Sequence, residues 1–204
     1  MKLSKKISLV TGGAQGIGYA IAETFGREGA VVYIADVNEA TGAAAVAKLR
    51  ETGITATFLP LNVASETDWQ RTIKLIEDDT DSLDILVNNA GINVRKVIED
   101  MSADELDQMY NVNVKGPFLG IKYALPLMKR VGGGSIINMS SVCGLVGHMY
   151  TPEAYTTTKG AVALLTKAVA SRYGKFNIRC NSINPSTADT PLVREMLKDP
   201  ERMK

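Results

Sequence analysis

The sequence predicts an α/β fold, a doubly wound parallel sheet flanked by helices, in a single domain over residues 1–204. Two observations predict it. Strand-like and helix-like segments alternate from the N-terminus onward, the pattern of strand–crossover–strand units with right-handed connections. The strand-like runs at 31–35 and 83–87 are apolar throughout, as strands covered on both faces are.

The elements follow in order. Residues 7–10 (Ile-Ser-Leu-Val) read as a strand. Residues 17–28 read as a helix, with Ile17, Ala20, Ile21 and Phe25 at helical spacing. The β-branched run 31–35 is a second strand, and alanine-rich 39–51 a second helix. Residues 55–61 form a third strand. Helix 66–77 follows Ser65, an N-cap three residues before Asp68. Strand 83–87 ends in the polar run Asn88-Asn89-Ala90-Gly91. Two helical stretches come next, 103–112 behind the cap Ser102, and 117–129. Residues 135–139 are strand-like, 153–173 a long helix, 177–183 a sixth strand and 192–197 a short helix. No repeat, low-complexity tract or linker divides the chain.

Bulk properties exclude several classes. The chain has 23 basic and 22 acidic residues and a formal charge of +1, which gives no case for nucleic acid or a charged membrane surface. No apolar stretch is long enough for a membrane span. Met-Lys-Leu-Ser-Lys-Lys runs straight into the first strand without a signal-peptide pattern, so a cytoplasmic protein is expected. Cys143 and Cys180 make no disulfide framework, and with a single histidine no metal site is expected.

The most informative stretch is Thr11-Gly-Gly-Ala-Gln-Gly-Ile-Gly18, between the first strand and the first helix. Glycines let the backbone approach a pyrophosphate, while the helix start offers unpaired N–H groups and the positive end of its dipole. A strand, a glycine turn and a helix in this order make the fold Rossmann-like, although Gly12, Gly16 and Gly18 are spaced G-x-x-x-G-x-G. Asp36 ends the second strand about twenty residues on, where an acid reaches the adenosine ribose hydroxyls. Its carboxylate repels a 2′-phosphate, and neither Gln15 nor Val37 is a cation that offsets this. NAD is therefore expected over NADP. The competing role for Asp36 is a cap on the helix after Asn38.

Tyr155-Thr-Thr-Thr-Lys159 opens the long helix, and a spacing of four puts both side chains on one face. A phenol has an ordinary pKa of about 10, and a nearby cation favours its phenolate. Bringing that pKa near neutrality takes about 3–4 kcal/mol of differential stabilisation, shared between Lys159 and the positive nicotinamide of NAD⁺.

Together with Thr11–Gly18, Asn88-Asn89-Ala90-Gly91, Asn113, Ser140-Ser141 and Asn184-Pro185, this pair makes the chain resemble the short-chain dehydrogenase/reductase family. It looks like the compact branch and not the extended, sugar-nucleotide-modifying one. The resemblance implies that Tyr155 is the general acid/base and that Lys159 holds the nicotinamide ribose and depresses the tyrosine pKa. It implies that Ser141 binds the reacting oxygen, with Ser140 set aside because neighbours on a strand face opposite ways. Asn113 matches the asparagine that orders a proton-relaying water; Asn111 competes, but Lys115-Gly116 favours Asn113.

Further resemblance assigns cofactor contacts. These are Gly12, Gln15, Gly16, Ile17, Gly18, Asp36, Asn62, Val63, Asn89, Ala90, Gly91, Tyr155, Lys159, Pro185, Ala188 and Thr190. Asn62 stands where the family usually has aspartate, so its bond to the adenine amine lacks charge assistance. Asn88 either lines the same channel or only ties strands together. Ser186 replaces a glycine that commonly follows the proline. Family members usually continue through another helix and a seventh strand that helps assemble tetramers. That last strand is expected to be absent here, leaving the sixth with an apolar edge. In full-length form a homo-oligomer, tetramer or dimer, is expected.

Ser141, Cys143, Met149, Tyr150 and Tyr155 are the expected substrate contacts, within an apolar wall that also includes Val142, Gly144, Leu145 and Val146. No basic cluster is there to clamp an anion, so a neutral, moderately hydrophobic secondary alcohol or ketone is expected. His148 reads as a loop residue. The competing readings are a 3-oxoacyl-carrier-protein reductase, which Asp36 and the near-zero charge disfavour, and a catalytically silent NAD-binding protein, which the intact Ser141/Tyr155/Lys159 set disfavours.

Overall fold

The apolar runs become strands whose alternate side chains enter two different cores. The computed structural model describes residues 1–189 and Arg194. Strands β1 (Ile7–Thr11), β2 (Val31–Asp36), β3 (Ala56–Pro60), β4 (Ile85–Asn88), β5 (Gly134–Met139) and β6 (Ile178–Ile183) form one sheet in the order β3-β2-β1-β4-β5-β6. Every pairing is parallel.

Leu9, Tyr33 and Leu86 enter one core with Trp69, Leu119 and Val169, while Val10, Ile34 and Val87 enter the other with Ala22, Ala45 and Leu49. The first core is closed by α3 (Glu66–Thr80), α5 (Gly116–Arg130) and α6 (Glu153–Tyr173), the second by α1 (Gly16–Arg27) and α2 (Glu39–Glu51). Continuous apolar strands result because each face has its own helical cover. The chain winds outward from β1 to β3, then returns to place β4 on the other side of β1. That reversal opens a crevice at the carboxyl ends of β1 and β4, where ligands bind in such sheets.

The expected caps are present. Ser65 accepts from the Asp68 N–H at 3.2 Å, and Ser102 with Glu105 forms a reciprocal capping box at the start of α4 (Ala103–Tyr110). Asn38, not Asp36, caps α2, accepting from the Thr41 N–H at 3.0 Å.

One expectation is extended and one corrected. Stretches 103–112 and 117–129 are the helices α4 and α5. A π-helical turn, Asn111–Lys115, joins α4 to α5, with the Gly116 N–H bonded to the Asn111 carbonyl. Pro117 stands in the first turn of α5, where a proline needs no N–H partner, so the π turn leads directly into that helix. The edge of β6 is not uniformly apolar. Buried Ile178 and Cys180 alternate with exposed Arg179 and Asn181, and only Ile183 is an exposed aliphatic there. Thr190 and, apart from Arg194, the expected helix at 192–197 lie outside the described residues. Among the described residues no helix is long and apolar enough to cross a membrane, and no three metal-ligating side chains converge.

Candidate active site

The end of β1 passes directly into the glycine turn, and the turn is shaped by what cannot fit there. Gly12 and Gly16 have φ of +61° and +56°, the left-handed region that favours glycine. A Cβ on Gly18 would sit 2.2 Å from the Gly12 carbonyl oxygen, so turn and helix touch backbone to backbone. Asn89 fixes the turn from the β4 side, its amide nitrogen donating to the carbonyls of Thr11 at 2.9 Å and Gly12 at 3.1 Å. The Thr11 hydroxyl accepts the N–H groups of Asn89 and Ala90 and donates to Val87.

This turn floors a cleft of about 860 Å³ across the carboxyl ends of the strands. Gly12, Gln15, Gly16 and Ile17 line it at one end, with Asp36, Asn62 and Val63. Asp36 accepts the N–H of Ala14 in the turn and that of Asn38, both at 3.2 Å. Its carboxylate therefore bridges the glycine turn to β2 and is not the helix cap. Asn62 accepts the Ala64 N–H at 3.0 Å through its amide oxygen, the atom expected to face an adenine amine. Ala90, Gly91, Pro185 and Ala188 complete the walls with Asn89.

At the other end Ser141, Tyr155 and Lys159 line the same cleft. The Lys159 ammonium stands 5.6 Å from the centroid of the Tyr155 ring, as the spacing of four requires. It donates to the Met139 carbonyl at 2.8 Å, and burial pushes its pKa down to about 8. Burial also raises the Tyr155 pKa, opposed by the Ser141 hydroxyl that hydrogen-bonds the phenol. In the protein alone, burial sets the direction of the tyrosine's shift. Ser141 accepts the Cys143 N–H at 3.2 Å and keeps its own proton to donate. Ser140, though also at the cleft, donates to the Lys159 carbonyl at 2.8 Å and braces the long helix.

Asn113 and Gly18 lie behind the walls and not on them. Asn113 is buried in the π turn, where its oxygen accepts the Ile92 N–H at 2.8 Å. Its amide nitrogen donates to the Ile92 carbonyl at 2.8 Å and to Thr158 Oγ1 at 3.1 Å. Asn111 instead lines the cleft. Asn88 serves the sheet alone, donating to Asn138 at 2.8 Å within the interior.

The expected substrate wall is not assembled at the cleft. Met149 and Tyr150 are 84% and 72% exposed, and Leu145 and Val146 also face solvent. Cys143 pairs with the Thr151 hydroxyl at 3.2 Å and does not line the cleft. His148 is an exposed loop residue whose Nδ1 accepts the Tyr150 N–H. Sequence reading also missed one wall. Asp104, Asp107, Gln108 and Asn111 line the cleft, and their spacing of i, i+3, i+4, i+7 marks one polar face of α4 running into the π turn. That periodicity was available as a signal.

A glycine-cradled anion site at one end and a serine–tyrosine–lysine cluster at the other define an α/β dehydrogenase that works on a dinucleotide. The chain matches the short chain dehydrogenase family over residues 6–201 and belongs to that family, oxidoreductases of CH–OH groups that use a nicotinamide cofactor. Cyclopentanol dehydrogenase of Comamonas sp. (strain NCIMB 9872) is 42% identical over 200 residues, covering 98% of this chain and 80% of that protein. Trans-4-hydroxycyclohexanecarboxylate dehydrogenase of Sinomonas cyclohexanicum is 39% identical over 198 residues, covering 94% and 76%. The crystal structure of gox2181 superposes with a TM-score of 0.95 at 29% identity, covering 98% of this chain and 79% of that one.

Proposed function

We propose that this protein interconverts a neutral, moderately hydrophobic secondary alcohol, a ring alcohol foremost, and its ketone, with NAD as cofactor. The observation that carries the reading is the convergence of Ser141, Tyr155 and Lys159 at one end of a cleft whose other end holds the glycine turn and Asp36. The two relatives named above act on ring alcohols by their names, which supports the substrate class. Asp36 supports NAD: its carboxylate suits ribose hydroxyls and repels a 2′-phosphate.

The residues present fit the cofactor. The glycine turn leaves room for a pyrophosphate that a Cβ would remove, and helix α1 directs its first N–H groups at that space. When bound, the nicotinamide supplies the hydride acceptor for oxidation and the donor for reduction. Tyr155 takes the proton from the alcohol oxygen, or returns it to the ketone oxygen. Ser141 hydrogen-bonds that same oxygen, its hydroxyl able to donate while it also accepts the Cys143 N–H. Lys159 has three donors and Met139 occupies one, so two serve the ribose hydroxyls while its charge favours the phenolate. Asn113 acts through the wall it braces, as the member of the set tied to proton relay. Pro185 and Ala188, with Thr190, receive the carboxamide.

The same proposal includes self-association as a tetramer or dimer. Exposed Leu106, Tyr110 and Phe118 along α4 and α5 support it, and mass in solution tests it. It also includes a cytoplasmic location, supported by two unpaired cysteines and tested by fractionation.

The deciding experiment is a panel of cyclopentanol, cyclohexanol, acyclic alcohols, their ketones and 3-oxoacyl thioesters, assayed by nicotinamide absorbance with each cofactor. Ring-alcohol turnover with NAD is expected. Turnover confined to 3-oxoacyl thioesters with NADPH sinks the reading. Tyr155→Phe is expected to abolish turnover while NADH still binds.

A further inference from the structure

We propose that Thr158 is a positioning residue for this site: its hydroxyl ties the Asn113 carboxamide, and through it the Gly91–Ile92 wall, to the helix that carries Tyr155 and Lys159. The inference rests on the catalytic reading above.

Thr158 is fully buried, sits next to Lys159, and faces away from the cleft. Its Oγ1 donates to the Tyr155 carbonyl at 2.8 Å, so its lone pairs point outward from the helix. One of them accepts from Asn113 Nδ2 at 3.1 Å. Asn113 thus has both amide protons and its oxygen engaged, two groups by Ile92 and one by Thr158. The three bonds weld a π turn, the loop after β4 and α6 at one point. That point adjoins the reacting groups. A Cβ on Gly91 would lie 3.3 Å from the Asn113 oxygen and 3.4 Å from the Lys159 ammonium. Gly91 is therefore the cleft wall against which the lysine rests, and Asn113 is what holds it there.

Removing the hydroxyl leaves an amide N–H of Asn113 buried without an acceptor, and a buried unpaired donor relaxes by moving. The movement open to it shifts Gly91–Ile92 against Lys159. Such a displacement lowers turnover more than it weakens binding, because the reacting geometry tolerates less movement than the ribose contact does. A purely packing role for Thr158 predicts that an isosteric valine is harmless and that serine, which lacks the methyl, is the worse variant.

Thr158→Val and Thr158→Ser are compared in two measurements on the whole protein. The first is hydrogen exchange of the Ile92 amide, read by mass spectrometry over the segment containing it. The second is kcat and the KM for NAD, with the alcohol that wild type oxidises in the panel as substrate. Thr158→Val is expected to exchange Ile92 at least about tenfold faster and to lose about tenfold in kcat, with KM for NAD changed less than about twofold. Thr158→Ser is expected to match wild type in both. Unchanged exchange and kcat in Thr158→Val, or a serine variant worse than the valine one, overturns the proposal. If wild type turns over no alcohol, the catalytic reading fails by itself, and the exchange measurement still decides whether Thr158 pins this wall.

Discussion

Lys159 is buried, yet the proposed mechanism uses it as a cation, and that conflict is measurable. Its pKa in the folded protein, about 8, lies below the ordinary lysine value of about 10.4. Between those two values the unfolded chain binds more protons than the folded one, so stability rises with pH across that window. Below about pH 8 the penalty is present in full, on the order of 3 kcal/mol. Urea denaturation of wild type and Lys159→Met at pH 7.5 and 9.5 isolates it. Wild type is expected to gain about 2 kcal/mol relative to the variant over that interval; parallel curves show the ammonium stays charged in the fold. Tyr155 is displaced the other way, upward through burial. On the proposed mechanism oxidation needs its phenolate and reduction its phenol, so oxidation is expected to rise with pH above neutrality while reduction falls. Initial rates in both directions across pH 6–10 check the sign, and parallel profiles contradict it.

At the scale of the element, the glycines of β1–α1 and α6 make opposite predictions from the same substitution. Gly18→Ala puts a methyl 2.2 Å from a backbone oxygen, so α1 must leave the turn. NADH affinity, read by fluorescence titration, is expected to fall at least about tenfold, with a lower Tm. Gly160→Ala meets nothing nearer than 3.5 Å within a helix, and a stability gain of about 0.5–1 kcal/mol is expected in urea. The contrast also measures what sequence conveys. Strand runs, caps at Ser65 and Ser102, the glycine turn, Asp36 and the Tyr155/Lys159 pair were legible because each is set by local chemistry or short-range periodicity. The π turn was not, since Gly116-Pro117 looks the same before a break or a wider turn. Nor was the wall at 142–150: apolar residues such as Met149 and Tyr150 announce burial but not which surface receives them. The α4 face was overlooked because Asp104 and Asp107 look like ordinary solvated helix residues until the helix is seen to stand above the cleft.

On the proposed function, the whole molecule separates recognition from chemistry by dividing the sheet. Asp36 ends β2, on the half wound first, whereas Ser141 follows β5, on the half wound after the reversal. Two strands, β1 and β4, intervene, so the two positions stand three strand spacings apart, about 14 Å. Side chains at that distance with no shared partner act independently, within about 0.3–0.5 kcal/mol. Asp36 bonds Ala14 and Asn38, while Ser141 bonds Cys143 and Tyr155, and no partner is common to the pair. The loss in kcat/KM for NAD in Asp36→Ala combined with Ser141→Ala is therefore expected to equal the product of the two single losses, within about twofold. Asp36→Ala should raise KM for NAD and improve use of NADP, leaving kcat nearly unchanged, and Ser141→Ala should lower kcat. A double variant no worse than the poorer single one contradicts this. It would mean that the nucleotide end transmits its grip through β1 and β4 to the reacting end, and that the sheet is a coupling element and not a spacer.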